Sequence, residues 1–153
     1  MLVNCVAYRD GSKLADIAIP EISDYVARDG CFVWVALKDP SDDELTAMQE
    51  EFCLHDLAIE DARHGHQRPK IEEYDDFTYL VVHGANAEGP SVTVEVHIFY
   101  SERHVVTVHR GATTTLDAAR TRFEHHRAGE LSPPAISVLY VVVDELVDSF
   151  FPV

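Results

Sequence analysis

Cys31-Phe32-Val33-Trp34-Val35-Ala36-Leu37, bounded by Asp29-Gly30 before and Asp39-Pro40 after, is the stretch that decides the fold. It has strand length, it is rich in β-branched and aromatic side chains, and it is apolar without alternation. A strand of that kind is buried on both faces, so the chain must supply a covering layer on each side of the sheet. The next residues begin one layer. Ser41 with Glu44 three residues on forms a capping box, and Leu45, Met48 and Phe52 share one face of the helix that follows, over 41–51. Upstream, Leu2 to Tyr8 reads as a strand, Asp10-Gly11 as a turn and Glu21 to Arg28 as a short helix.

Downstream, residues 56–62 form a second short helix, and Gly65 and Pro69 force irregular backbone after it. Ile71–Tyr74, Phe77–Val82, Val92–Tyr100 and Val105–His109 read as an antiparallel meander, with turn chemistry at Asn86 to Pro90. Thr115 is placed to cap a helix reaching about Arg127. Ser132-Pro133 has the cap-then-proline form that starts another, along which Ile136, Leu139, Tyr140, Val143, Leu146, Val147, Phe150 and Phe151 fall at helical spacing. The predicted class is α/β (α+β), a three-layer α-β-α arrangement with a sheet between helices.

Composition narrows the function. The 153 residues carry 12 Lys+Arg against 27 Asp+Glu, a formal charge of -15, which repels nucleic-acid phosphates and anionic lipid; no nucleic-acid partner is expected. With 46% hydrophobic residues the chain is not a disordered acidic tail. The apolar run within Ile136 to Val143 is far short of the ~20 residues that cross a bilayer, and no secretory signal follows Met1, so a soluble, cytoplasmic segment is expected. Cys5, Cys31 and Cys53 are odd in number and set among apolar neighbours, which reads as reduced core thiols.

The acid is concentrated. Ser41 to Asp61 holds eight acidic residues and no Lys or Arg, and Ile71 to Tyr100 holds six more and no base. Most of these read as solvated faces, but a hard-cation surface leaves the same trace, because magnesium is held through one or two carboxylates and several waters. Asp144 and Asp148 lie one helical turn apart and repel by a few tenths of a kcal/mol, about 0.2–0.5, with nothing positive near them in sequence. His64, His66, His125 and His126 could offer imidazoles to zinc but lack zinc-motif spacing, while His83, His97 and His109 read as hydrogen-bonded strand histidines. A metal-dependent hydrolase built on Asp75 and Asp76 is disfavoured, since neighbours on a strand point to opposite faces.

Phe52-Cys53-Leu54-His55-Asp56-Leu57-Ala58-Ile59-Glu60-Asp61-Ala62, followed by His66-Gln67-Arg68-Pro69-Lys70-Ile71-Glu72-Glu73-Tyr74-Asp75-Asp76, resembles the CorA family of magnesium and other divalent-cation transporters. Val33 to Leu37 with Asp39-Pro40 looks like the family's tryptophan strand, and Tyr140 to Phe151 like the helix before its long stalk. The resemblance implies a non-enzymatic, single N-terminal cytoplasmic domain over 1–153, with a mixed parallel and antiparallel sheet. It implies truncation before the stalk and membrane helices, which also matches the mid-pattern stop at Phe150 to Val153. Such a domain forms part of a homo-oligomeric, pentameric funnel at the cytoplasmic face of the membrane.

The resemblance further implies that Mg2+ is sensed between neighbouring domains. Asp61 matches the family's acidic sensing position, with Glu60 beside it, and Asp144 and Asp148 match further acidic positions. Arg68-Pro69-Lys70 is read as structural support, and Asp56 stands where the family often has proline. A zinc-directed relative in the same superfamily and a purely structural assembly domain are the alternative readings.

Overall fold

The computed structural model describes residues 1–10, 12–86, 89–111, 115–125 and 133–151, with side chains left aside at 86 and 89–92. Along the described residues a strand pair, single elements and a run of four consecutive strands are followed by two helices. They are β1 (Leu2–Arg9), β2 (Ser12–Asp16), a 3-10 turn (Ile19–Glu21), α1 (Ile22–Val26), β3 (Cys31–Lys38), α2 (Asp42–Phe52), α3 (Asp56–His64), β4 (Lys70–Glu73), β5 (Thr78–Asn86), β6 (Gly89–Tyr100), β7 (His104–His109), α4 (Thr115–His125) and α5 (Pro134–Asp148). The strands form one sheet in the order β2-β1-β3-β7-β6-β5-β4. Only β3 and β7 run parallel, pairing Val33 with His104 through Lys38 with His109; the other neighbours are antiparallel.

The decisive strand behaves as its composition requires. Along β3 every residue from Cys31 to Leu37 is buried. Val33, Val35 and Leu37 pack with Leu45, Met48 and Phe52 of α2 and Ala58, Ile59 and Ala62 of α3. Phe32 and Trp34 face the other way, against Leu116, Ala119 and Phe123 of α4 and Val138, Val142 and Leu146 of α5. The period-two alternation of one strand thus feeds two cores, giving the three-layer α-β-α fold. Trp34 Nε1 donates to Thr107 Oγ1 across the parallel pair at 3.3 Å, so the buried indole keeps a partner.

Local chemistry sets the helix ends. Ser41 Oγ accepts from the Glu44 amide at 3.2 Å, and the Glu44 carboxylate accepts from the Ser41 amide at 3.0 Å. Cys53 ends α2 in the left-handed conformation, φ 55, and is exposed. The expectation of three core thiols therefore holds for Cys5 and Cys31 and fails for Cys53, whose role is a helix stop. Thr115 is the first residue of α4, not a cap before it. Helix α5 begins at Pro134 with Pro133 in the cap position, one residue later than expected; Ser132, His126 and Arg127 lie outside the described residues.

Gly84 explains how α5 reaches the sheet. A Cβ there would sit 2.5 Å from Leu146 Cδ2 and 3.3 Å from Ser149 Oγ, so the bare glycine lets the end of α5 lie against β5. Ser149 Oγ then accepts from the Ala85 amide at 2.8 Å and fixes that contact. β2 was not expected from the sequence; its residues are mostly exposed and it forms one edge of the sheet.

Candidate functional site

The four acidic candidates fall into two pairs on opposite layers. Glu60 and Asp61 lie on α3, whose buried side packs on one face of the sheet; Asp144 and Asp148 lie on α5, whose buried side packs on the other. The sheet separates the pairs, so one chain does not bring them to one ion. Among the described residues, no three His, Cys, Asp or Glu side chains gather into a set that could hold a metal. Each pair is a carboxylate doublet at the surface of its layer.

Each doublet is half neutralised. Lys70, from β4, donates to Asp61 Oδ2 at 2.6 Å and lies 3.0 Å from Glu72 Oε1. Those bonds, Asp61 first, hold the Lys70 ammonium above its ordinary pKa. On the other layer Arg122 of α4 donates to Asp144 Oδ2 at 2.7 Å and to Glu145 Oε1 at 3.0 Å, and both bonds raise its pKa. Sequence shows no base near Asp144, but the fold brings Arg122 across from the neighbouring helix. Glu60 and Asp148 are exposed, with no side-chain partner among the described residues.

The loop between α3 and β4 is held from beneath. Gly65 ends α3 at φ 68, and a Cβ there would meet Arg110 Nε at 3.3 Å and Glu95 Oε2 at 3.6 Å. Arg110 Nη2 donates to the carbonyls of Ala62 and Arg63 at 2.8 and 3.1 Å. His83 Nε2 bonds the Gln67 carbonyl at 2.8 Å. Behind these, fully buried His97 bonds Glu95 Oε2 at 2.6 Å through Nε2 and shares a hydrogen bond with the Tyr79 hydroxyl through Nδ1. Burial is the main influence on His97 and lowers its pKa, while Glu95 opposes the shift; burial also raises Tyr79. Sequence reading places His83 and His97 on strands with partners but does not reveal this network.

The remaining candidates stay apart. His64 and His66 are exposed and flank Gly65, and His125 ends α4. Asp75 and Asp76 are exposed in the turn between β4 and β5, not on a strand, so the strand-alternation argument against a hydrolase does not apply to them. No third ligand-type side chain joins them in a metal-holding set among the described residues. Asp56 opens α3, where it accepts from Gln49 Nε2, and His55 Nδ1 caps the helix by accepting from the Leu57 amide at 3.1 Å. No helix of the described residues is long and apolar enough to cross a membrane.

A mixed seven-stranded sheet between two helical layers makes the described residues a three-layer α/β domain. The model of the CorA-like Mg2+ transporter protein family matches residues 29–153, and the chain belongs to that family. It is 36% identical over 124 residues to the "Putative metal ion transporter YfjQ" of Bacillus subtilis, covering 81% of this chain and 38% of that protein. Its fold matches the CorA magnesium transporter of Methanocaldococcus jannaschii with a TM-score of 0.67 at 18% identity, covering 97% of this chain and 46% of the other. The ZntB cytoplasmic domain of Vibrio parahaemolyticus gives a TM-score of 0.70 at 13% identity, covering 97% and 58%. This chain therefore spans well under half the length of the curated relative.

Proposed function

We propose that the chain is a non-catalytic regulatory domain of a CorA-like transporter of magnesium or cobalt, at the cytoplasmic face of a membrane, and that it senses divalent cations, Mg2+ foremost, between neighbouring copies. The observation that carries this reading is the placement of Glu60/Asp61 and Asp144/Asp148 on opposite outer layers. A head-to-tail contact, in which the α3 side of one copy meets the α5 side of the next, would bring the two doublets together and could close into a ring such as the family's pentamer. Bare doublets repel. A hydrated magnesium ion between them offsets that repulsion, so ion binding favours the closed assembly and ion loss loosens it.

Limited proteolysis with and without MgCl2 at fixed ionic strength tests the proposal. Protection that rises with Mg2+ in the wild type and is missing in Asp61→Asn supports sensing. Equal cleavage of both proteins at all Mg2+ concentrations leaves the chain as an assembly domain whose acid serves solubility. The match to a ZntB domain and the exposed His64 favour one second reading, a zinc-directed protein. Zinc calorimetry on the wild type and on His64→Ala and His125→Ala decides it, since a zinc site would lose heat of binding in one of the variants.

A further inference from the structure

Lys70 is held more firmly than a surface lysine. Its side chain is 23% exposed, its ammonium bridges Asp61 and Glu72, and it sits 5.6 Å from the centre of the Tyr79 ring. The backbone around it is anchored as well. Arg110 ties down the end of α3, His83 ties down Gln67, and β4 pairs with β5 from Lys70↔Val81 to Glu73↔Thr78. The ammonium is therefore presented to Asp61 at a fixed place, not by chance contact of a long side chain. A cation arriving at Asp61 meets a carboxylate that already has a positive partner at 2.6 Å, while Glu60 on the same helix has none among the described residues.

We infer that Lys70 is a tethered competitor that makes the Asp61 site respond to divalent and not to monovalent cations. The inference rests on the sensing reading and names a specificity-determining residue within it. Replacing one ammonium by K+ or Na+ exchanges one unit of charge for another and gives up a tethered hydrogen bond, so nothing is gained. A divalent ion brings a second unit of charge, which Glu60 and a neighbouring doublet are free to use. Lys70 thus sets both a threshold concentration and a charge filter. Arg122 stands in the same relation to Asp144, with Asp148 as the member of that doublet that has no side-chain partner among the described residues.

The test uses this chain, isotope-labelled, with Mn2+ as a paramagnetic probe read by broadening of backbone amides near residues 58–64. Lys70→Met is expected to lower the Mn2+ concentration for half-broadening by about fivefold, the effect of removing one partly buried ion pair, and to make broadening sensitive to competing KCl. Lys70→Arg keeps the charge and should behave as wild type, which separates competition from a merely structural effect; urea unfolding of each variant confirms that the fold is retained. Asp61→Asn should abolish the broadening. If Lys70→Met matches wild type while Asp61→Asn removes the signal, the competitor inference is overturned and the sensing site stands. If no variant shows Asp61-dependent broadening, both fall.

Discussion

His104 makes the domain acid-sensitive, and the size of the effect follows from its surroundings. It opens β7, is 6% exposed, and stacks on Phe52 with ring centroids 4.2 Å apart. Burial alone pushes its pKa down from 6.5 to about 4. The folded chain thus refuses a proton that the unfolded chain accepts. Stability from the neutral ring is fully present above about pH 6.5 and is lost as the pH falls toward 4. With those two values the loss between pH 7.5 and pH 5 is about 2 kcal/mol, rising to about 3 kcal/mol well below pH 4. His97 and His109, lowered chiefly by burial, push in the same direction.

Urea unfolding followed through the single tryptophan, Trp34, which is buried, measures this at both pH values. His104→Phe keeps the stack and removes the proton. It forgoes the bond between Ser101 Oγ and His104 Nδ1, at 2.7 Å, which lowers stability about equally at both pH values, but its loss between pH 7.5 and pH 5 should be about 2 kcal/mol smaller than that of the wild type. An unchanged pH dependence in His104→Phe would refute the assignment of the acid transition to this buried ring.

Gly84→Ala places a methyl 2.5 Å from Leu146 Cδ2 and should destabilise by about 1–3 kcal/mol in the same urea assay, and that cost should shrink when it is measured in a Leu146→Ala background. Ser41→Ala removes one side of the capping box and should cost about 1 kcal/mol by thermal unfolding. Arg122→Gln breaks a half-exposed ion pair and should change stability by less than about 1 kcal/mol, so a larger loss would show that the pair is structural.

The parts of the fold that were legible are those where composition and period agree. β3 is continuous and apolar and had to be sandwiched; α2 carries both its capping box and its apolar stripe. β2 was illegible because Ser12-Lys13-Leu14-Ala15-Asp16 is an edge strand, largely exposed, and has no buried face to print a pattern. The role of Cys53 is not legible in the sequence, because a left-handed helix stop is a backbone property that residue type does not encode outside glycine and asparagine.

The acidic candidates were legible as residues, Asp61 through a motif and Asp144 with Asp148 through their spacing. Their partners were not. Lys70 lies nine residues from Asp61 and Arg122 lies 22 from Asp144, on different elements, so pairing waits on the packing of α3 beside β4 and α4 beside α5. The Tyr79-His97-Glu95 network is likewise a cross-strand arrangement, set by the register of β5 against β6.

On the proposed reading the acidic doublets gather a divalent ion between copies and not within one, so assembly depends on Mg2+. Sedimentation velocity of the chain across a MgCl2 titration, at constant ionic strength, tests it most directly. The wild type should shift toward heavier species as Mg2+ rises, and Asp61→Asn and Asp144→Asn should each remove the shift. A wild type whose sedimentation is indifferent to Mg2+, or variants that shift with it unchanged, would contradict the account.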